Sequence, residues 1–132
     1  MKSALLLILL TGCTLFAPDP NKPKPIRGLY GTWGFEVLVE TKPPGAKIEV
    51  NGDTVGISPL KVMLFAEHDR EVHHNLPYII IAYPTAPGDF QQIIRFHRDS
   101  MFNRYIPTNI YFDMHMDKVL PIERFDIKNT SK

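Results

Sequence analysis

Among 132 residues there is a single cysteine, Cys13, so no internal disulfide can form and the fold must rest on its core. Long hydrophobic runs are lacking as well. The apolar stretch Ala4–Leu10 falls far short of the about 20 residues that a bilayer-spanning helix needs. Nor does charge of one sign dominate. Fifteen Lys and Arg stand against fourteen Asp and Glu, a net charge of +1, and no basic stripe suits nucleic acid, which is excluded as a partner. No glycine-rich phosphate cradle or dinucleotide fingerprint occurs. Ser58 precedes Pro59 in a turn, and Ser100 lacks the flanking glycines of a nucleophile elbow. Glu36, Glu40 and Glu49 fall on outward strand positions, and nothing sets two of them opposite each other for glycoside cleavage. These absences predict a chain that is not an enzyme and carries no cofactor.

What is present begins at the N-terminus. Lys2, the apolar Ala4–Leu10 and the small residues that follow have the layout of a secretory signal. Leu10-Thr11-Gly12-Cys13 resembles the bacterial lipobox, which implies cleavage between Gly12 and Cys13 and a diacylglyceryl thioether on the cysteine. An ordinary signal cleaved elsewhere, leaving a spare thiol, is the alternative. The resemblance makes a lipid bilayer the first partner, reached through acylated Cys13. Each buried methylene contributes about 0.8 kcal/mol, and more than one chain gives stable attachment. Thr14 occupies the position where lipoproteins retained at the inner membrane tend to carry Asp. It favours the outer membrane in a Gram-negative host. Removal of residues 1–12 takes Lys2 away and leaves acidic and basic side chains equal in number.

Residues 13–27 hold Pro18, Pro20, Pro23 and Pro25. At this density proline excludes helix and paired strand and favours an extended, polyproline-like spacer, a tether lifting a domain off the bilayer at roughly 3 Å per residue. A proline motif read by partner proteins is the other reading.

From Phe35 onward the period is two. Phe35, Val37 and Val39 share an apolar face, with Glu36 and Glu40 opposite. Ala46–Val50 alternates likewise, and Asn51-Gly52 then favours a tight hairpin. Further strands are expected near Lys61–Phe65, Tyr78–Tyr83, Phe90–Phe96 and Thr108–Met116. Tyr78–Tyr83 is apolar on both sides and reads as a strand buried on both faces. In the last strand Ile110, Phe112, Met114 and Met116 point one way, and Tyr111, Asp113, His115 and Asp117 the other. The pattern predicts an all-β fold, a small antiparallel β-sandwich over residues 28–118. Residues 119–132 are left as a last strand or a tail.

The stretch from Thr41 to Leu60, with Pro43-Pro44-Gly45-Ala46, Asn51-Gly52, Gly56 and Ser58-Pro59 in order, resembles a PEGA domain. Pro44 stands where the eponymous glutamate would be, and Tyr83-Pro84 where the family usually has Gly-Tyr. The segments 83–92 and 106–114 resemble, less closely, a bacterial lipoprotein variant of the family. The resemblance implies a small β-domain of cell-envelope and surface proteins, often an attachment module, without catalytic residues or cofactor. These turn residues are architectural on physical grounds too. Pro43 and Pro44 cannot donate ladder hydrogen bonds, and Gly45 frees the turn.

Four places could carry binding chemistry. His68, Asp69, Glu71, His73 and His74 crowd one loop with groups that zinc or copper accepts, but no fixed ligand spacing, so a solvated polar loop is expected and no metal is assigned. Asp113, His115 and Asp117 are weighed in the same way, against an exposed strand face. Tyr30 and Trp33, set among Gly28, Gly31 and Gly34, are the candidate binding surface, with capping of an open core end the other role for Trp33. Met101-Phe102-Asn103-Arg104-Tyr105-Ile106 is either a packed flap or an exposed patch for a partner. The whole predicts a lipid-anchored interaction module of the cell envelope with a protein partner. The alternative is a lipoprotein that binds glycan or peptidoglycan through Tyr30 and Trp33.

Overall fold

A computed structural model describes residues 19–116. The signal sequence, Cys13 and residues 117–132, including Asp117 and the C-terminal segment, lie outside the described residues. Among the described residues seven strands are found: β1 (Trp33–Lys42), β2 (Lys47–Val50), β3 (Asp53–Ile57), β4 (Leu60–Ala66), β5 (Tyr78–Tyr83), β6 (Gln92–Phe96) and β7 (Asn109–Asp113). They form two sheets, ordered β4-β1-β7 and β3-β2-β5-β6, which makes the all-β sandwich that the alternation predicts.

Inward positions carry the apolar residues of the sequence pattern. Val37 and Val39 of β1, Leu64 of β4 and Phe112 of β7 meet Ile48 of β2 and Ile80 of β5 in one core cluster. Asn51 and Gly52 turn β2 into β3 with φ of 49° and 88°, the positive angles that this dipeptide tolerates best. The Asn51 side chain fixes the hairpin to β5, accepting from the Ile79 amide at 2.7 Å and donating to the Pro77 carbonyl at 3.1 Å. At the opposite end Ser58 is buried, takes the Ala46 amide at 3.1 Å and shares a hydrogen bond with Thr41. This serine closes a corner of the fold.

Four features depart from the sequence reading. β3 was not separately expected, because its outward residues and a register shift opposite Ile48 and Glu49 blur the alternation. β7 runs parallel to β1, pairing Leu38 with Asn109 and Lys42 with Asp113, while every other strand pair is antiparallel. β5 is buried on one face only. Tyr78, Ile80 and Ala82 point inward, whereas Ile79 is exposed and Ile81 and Tyr83 are half-buried. β7 also stops at Asp113, so Met114, His115 and Met116 form a turn and the expected continuation of the strand to Met116 is corrected.

Tyr78 links the layers: its hydroxyl donates to the Phe65 carbonyl at 3.0 Å and accepts from the Phe65 amide at 2.8 Å. Burial, the larger effect, raises the hydroxyl above its ordinary value of 10.0, against the opposing pull of the Phe65 backbone. A folded-state value above the unfolded one gives stability that is complete below the unfolded pKa and lost as pH climbs through the raised value. Unfolding by urea between about pH 9 and 11 should therefore show an alkaline decline. Tyr78→Phe should reduce that decline while lowering stability at neutral pH by about 1 kcal/mol.

Candidate binding cleft where the chain enters

The proline-rich segment reaches the sandwich at the pole formed by the start of β1, the end of β4, the start of β5 and the end of β6. Arg27 makes an isolated bridge to Trp33, and its guanidinium lies 3.3 Å from the centre of the indole ring. Between them, residues Leu29–Gly31 form a 3-10 turn. Buried Thr32 closes it, donating from its amide at 3.1 Å and from its hydroxyl at 2.7 Å to the Leu29 carbonyl. Gly28 is obligatory here, because a Cβ would stand 2.4 Å from the Phe65 ring.

Tyr30 holds the left-handed conformation, φ 58° and ψ 24°, which costs an L-residue about 1–2 kcal/mol. The residue is 60% exposed, and its ring stacks on His73 with centroids 4.9 Å apart. His73 in turn stacks on His74 at 4.3 Å. The His73 Nδ1 accepts the Asn75 amide at 3.1 Å, so the other ring nitrogen, Nε2, is the one that faces Glu67, 3.8 Å away.

The loop after β4 is built from its charged residues. Asp69 accepts the Glu71 amide at 3.0 Å, and Arg70 takes φ 72°. That conformation carries the Arg70 guanidinium to the Ile106 and Pro107 carbonyls, both at 2.7 Å, and over the Phe35 ring. Its neighbour Glu71 is buried, accepts a charge-assisted hydrogen bond from Arg104, and lies 3.7 Å from Arg98. The hydrogen bond to Glu71, then its charge, raises the Arg104 guanidinium above its ordinary value.

Trp33, Glu67, His68, Asp69, Glu71 and Arg98 line an open cleft of about 440 Å³ at this pole. Around it stand exposed apolar side chains: Met101 at 88%, Phe102 at 60% and Tyr105 at 54%. Aromatic, carboxylate, imidazole and guanidinium groups thus converge on one concavity, a set suited to hydrogen-bonding and stacking with a polar ligand.

Both aromatics singled out in the sequence stand at this pole. Trp33 has the inward parity of β1 and sits half-buried at the open end of the core, lining the cleft, while Tyr30 projects beside it. Of the two expectations for 101–106, the exposed patch describes Met101, Phe102 and Tyr105, while Ile106 is buried. The loop histidines and carboxylates are engaged separately, and no three His, Cys, Asp or Glu side chains converge as metal ligands among the described residues. Asp113 and His115 lie at the other pole, where Asp113 accepts the His115 amide and His115 Nδ1 is 2.9 Å from Asp89. Arg98 in the cleft wall, and the pairing of Arg98 and Arg104 with Glu71, were not legible in the sequence. The two arginines reach Glu71 from distant positions in the chain, with no local signal to join them.

Two expectations follow for this pole. Tyr30→Gly relieves the left-handed backbone and should not lower the melting temperature, although it removes a stacked ring. Glu71→Ala strips two arginines of their shared carboxylate and should destabilise by about 1–3 kcal/mol in urea unfolding.

Comparison with known proteins gives one family. The model described as PEGA domain matches residues 35–77. No curated protein and no solved structure matches the chain. The matched stretch takes in β1 from Phe35, β2, β3, β4 and the cleft-forming loop, and ends where β5 begins. The matched segment supplies four of the six residues that line the cleft, Glu67, His68, Asp69 and Glu71, with Trp33 and Arg98 coming from outside it, and on that match the chain is a PEGA-domain-containing protein.

Proposed function

We propose that this chain is a membrane-anchored, non-enzymatic lipoprotein of the cell envelope whose PEGA-like domain is an attachment module for a protein partner. The PEGA match supports an extracellular or envelope-associated attachment role. Among the described residues no helix is long and apolar enough to cross a membrane. Anchoring is assigned to acylated Cys13, and Thr14 favours the outer membrane where the host has one.

The observation that carries the proposal is the set of exposed large side chains at this pole, Tyr30, Met101, Phe102 and Tyr105, with Tyr30 stacked on His73. Large aromatic side chains held rigid at low entropic cost are what partner surfaces use as anchors. The tether arrives at this same pole, so the partner is membrane-proximal. A proline-rich spacer from Cys13 to Ile26 reaches roughly 40 Å when extended. Anchoring then raises the effective concentration of the module near its partner.

A second reading, binding of glycan or peptidoglycan, is favoured by one specific feature: Trp33 shares the cleft with Glu67, His68, Asp69 and Arg98, groups that hydrogen-bond hydroxyls. The test is crosslinking in cells and recovery of the native protein, beside a Cys13→Ala control. Attachment predicts a discrete protein captured only from the anchored form. Recovery with purified cell wall and no protein, abolished by Trp33→Ala, would replace attachment with the glycan reading.

A further inference from the structure

The outer faces of the two sheets differ. On the β4-β1-β7 sheet the arriving chain supplies cover: Ile26 and Phe65 crowd Gly34, and Glu36 pairs with Lys61 at 3.6 Å. The β3-β2-β5-β6 sheet receives no such cover from the described residues, although its outer face is rich in isoleucine. Ile57 is 56% and Ile79 42% exposed, with Ile81 and Ile93 half-buried between them. β5 is apolar on both faces in sequence, and among the described residues nothing covers one of those faces.

The register fixes how this face is laid out. Thr54, Glu49, Ile81 and Ile93 form one cross-strand row. Ile57, Lys47 and Tyr83 form the row on one side, and Ile79 and Arg95 the row on the other. Charge therefore sits at the margins of an isoleucine patch: Lys47 and Glu49 on β2, the Lys47 ammonium held 4.4 Å from the Tyr83 ring centre, and Arg95 on β6, with Glu49 and Arg95 two strands and one row apart. The midpoint between Glu49 and Arg95 falls between Ile79 and Ile81.

We propose that this face is a self-association surface, and that its occupant is the same face of a second copy of this chain. A twofold axis lying in the plane of the face and passing between Ile79 and Ile81 is the symmetry that satisfies the layout. It sets Arg95 of one copy over Glu49 of the other, twice, and brings Ile81 of each copy beside Ile93 of its mate. Glu49 is already oriented, since its Oε2 accepts the Tyr83 hydroxyl at 3.1 Å. Opposite charges meet and the isoleucines leave water together, with no like charges apposed along the Glu49–Arg95 line. The surface lies on the flank of the sandwich, away from the cleft pole, so a dimer presents two clefts and two tethers. The patch is small, at the low end of specific interfaces, and predicts a weak dimer that confinement to a membrane would favour.

Sedimentation equilibrium of the full chain under reducing conditions, up to about 1 mM, tests this. Wild type should show a concentration-dependent dimer. Arg95→Glu and Glu49→Arg should each weaken it about 10-fold or more, and the double exchange should restore it. Ile79→Lys, at a position exposed in the monomer, should abolish it while leaving the melting temperature near that of wild type. A monomer throughout, dimerisation indifferent to the single charge reversals or to Ile79→Lys, or failure of the folded double exchange to recover, would overturn the proposal.

Discussion

The connection from β6 to β7 must cross a whole end of the sandwich, because β7 lies parallel to β1, and it is held there by residues 70–72. Val72 donates to the Arg104 carbonyl at 2.8 Å and Ile106 to the Arg70 carbonyl at 2.9 Å. Arg70 adds its guanidinium to the Ile106 and Pro107 carbonyls, and Glu71 adds its carboxylate to Arg104. Parallel pairing always needs such a long return, whose buried carbonyls must find donors. Here a left-handed arginine supplies them. The same short ladder delivers β7 to the edge of β1, and with it Phe112 to the core. It also holds Met101, Phe102 and Tyr105 at the pole where the chain enters.

This constraint joins architecture to the candidate site. The PEGA-matched stretch supplies β1 to β4 and the loop that carries Arg70 and Glu71, yet neither sheet is complete within it. β5 and β6 finish one sheet and β7 the other. The cleft forms where the matched and unmatched parts meet: Glu67, His68, Asp69 and Glu71 come from one, and Arg98 from the other. Glu71 is thus both a clamp on the β6–β7 connection and a wall of the cleft.

The sequence disclosed most where local chemistry decides structure. Val37 and Val39, Ile48, and Ile110 with Phe112 alternate with polar residues and were legible as inward faces. Asn51-Gly52 announced its hairpin. β3 was harder to see because Gly56 and a register shift break its period. The parallel placement of β7 was not legible, since alternation specifies a face but not a neighbour or a direction. At the site, Tyr30 and Trp33 stood out by residue type and by their glycine setting. The Glu71 carboxylate and its two arginines did not, because their meeting depends on the crossover and leaves no mark in local spacing. The open face of β5 was misjudged for a related reason: apolar residues on both sides signal a demand for cover without saying which molecule supplies it.

On the proposed function, the pole where the chain enters, with its cleft and exposed aromatics, is the surface that meets the partner. A photo-crosslinking amino acid placed in cells at Tyr30 or Phe102, and for comparison at Ala86 on the opposite pole, tests it most directly. A discrete crosslinked product is expected from positions 30 and 102 and none from position 86. Products from position 86 alone, or from none of the three, would contradict the proposed function.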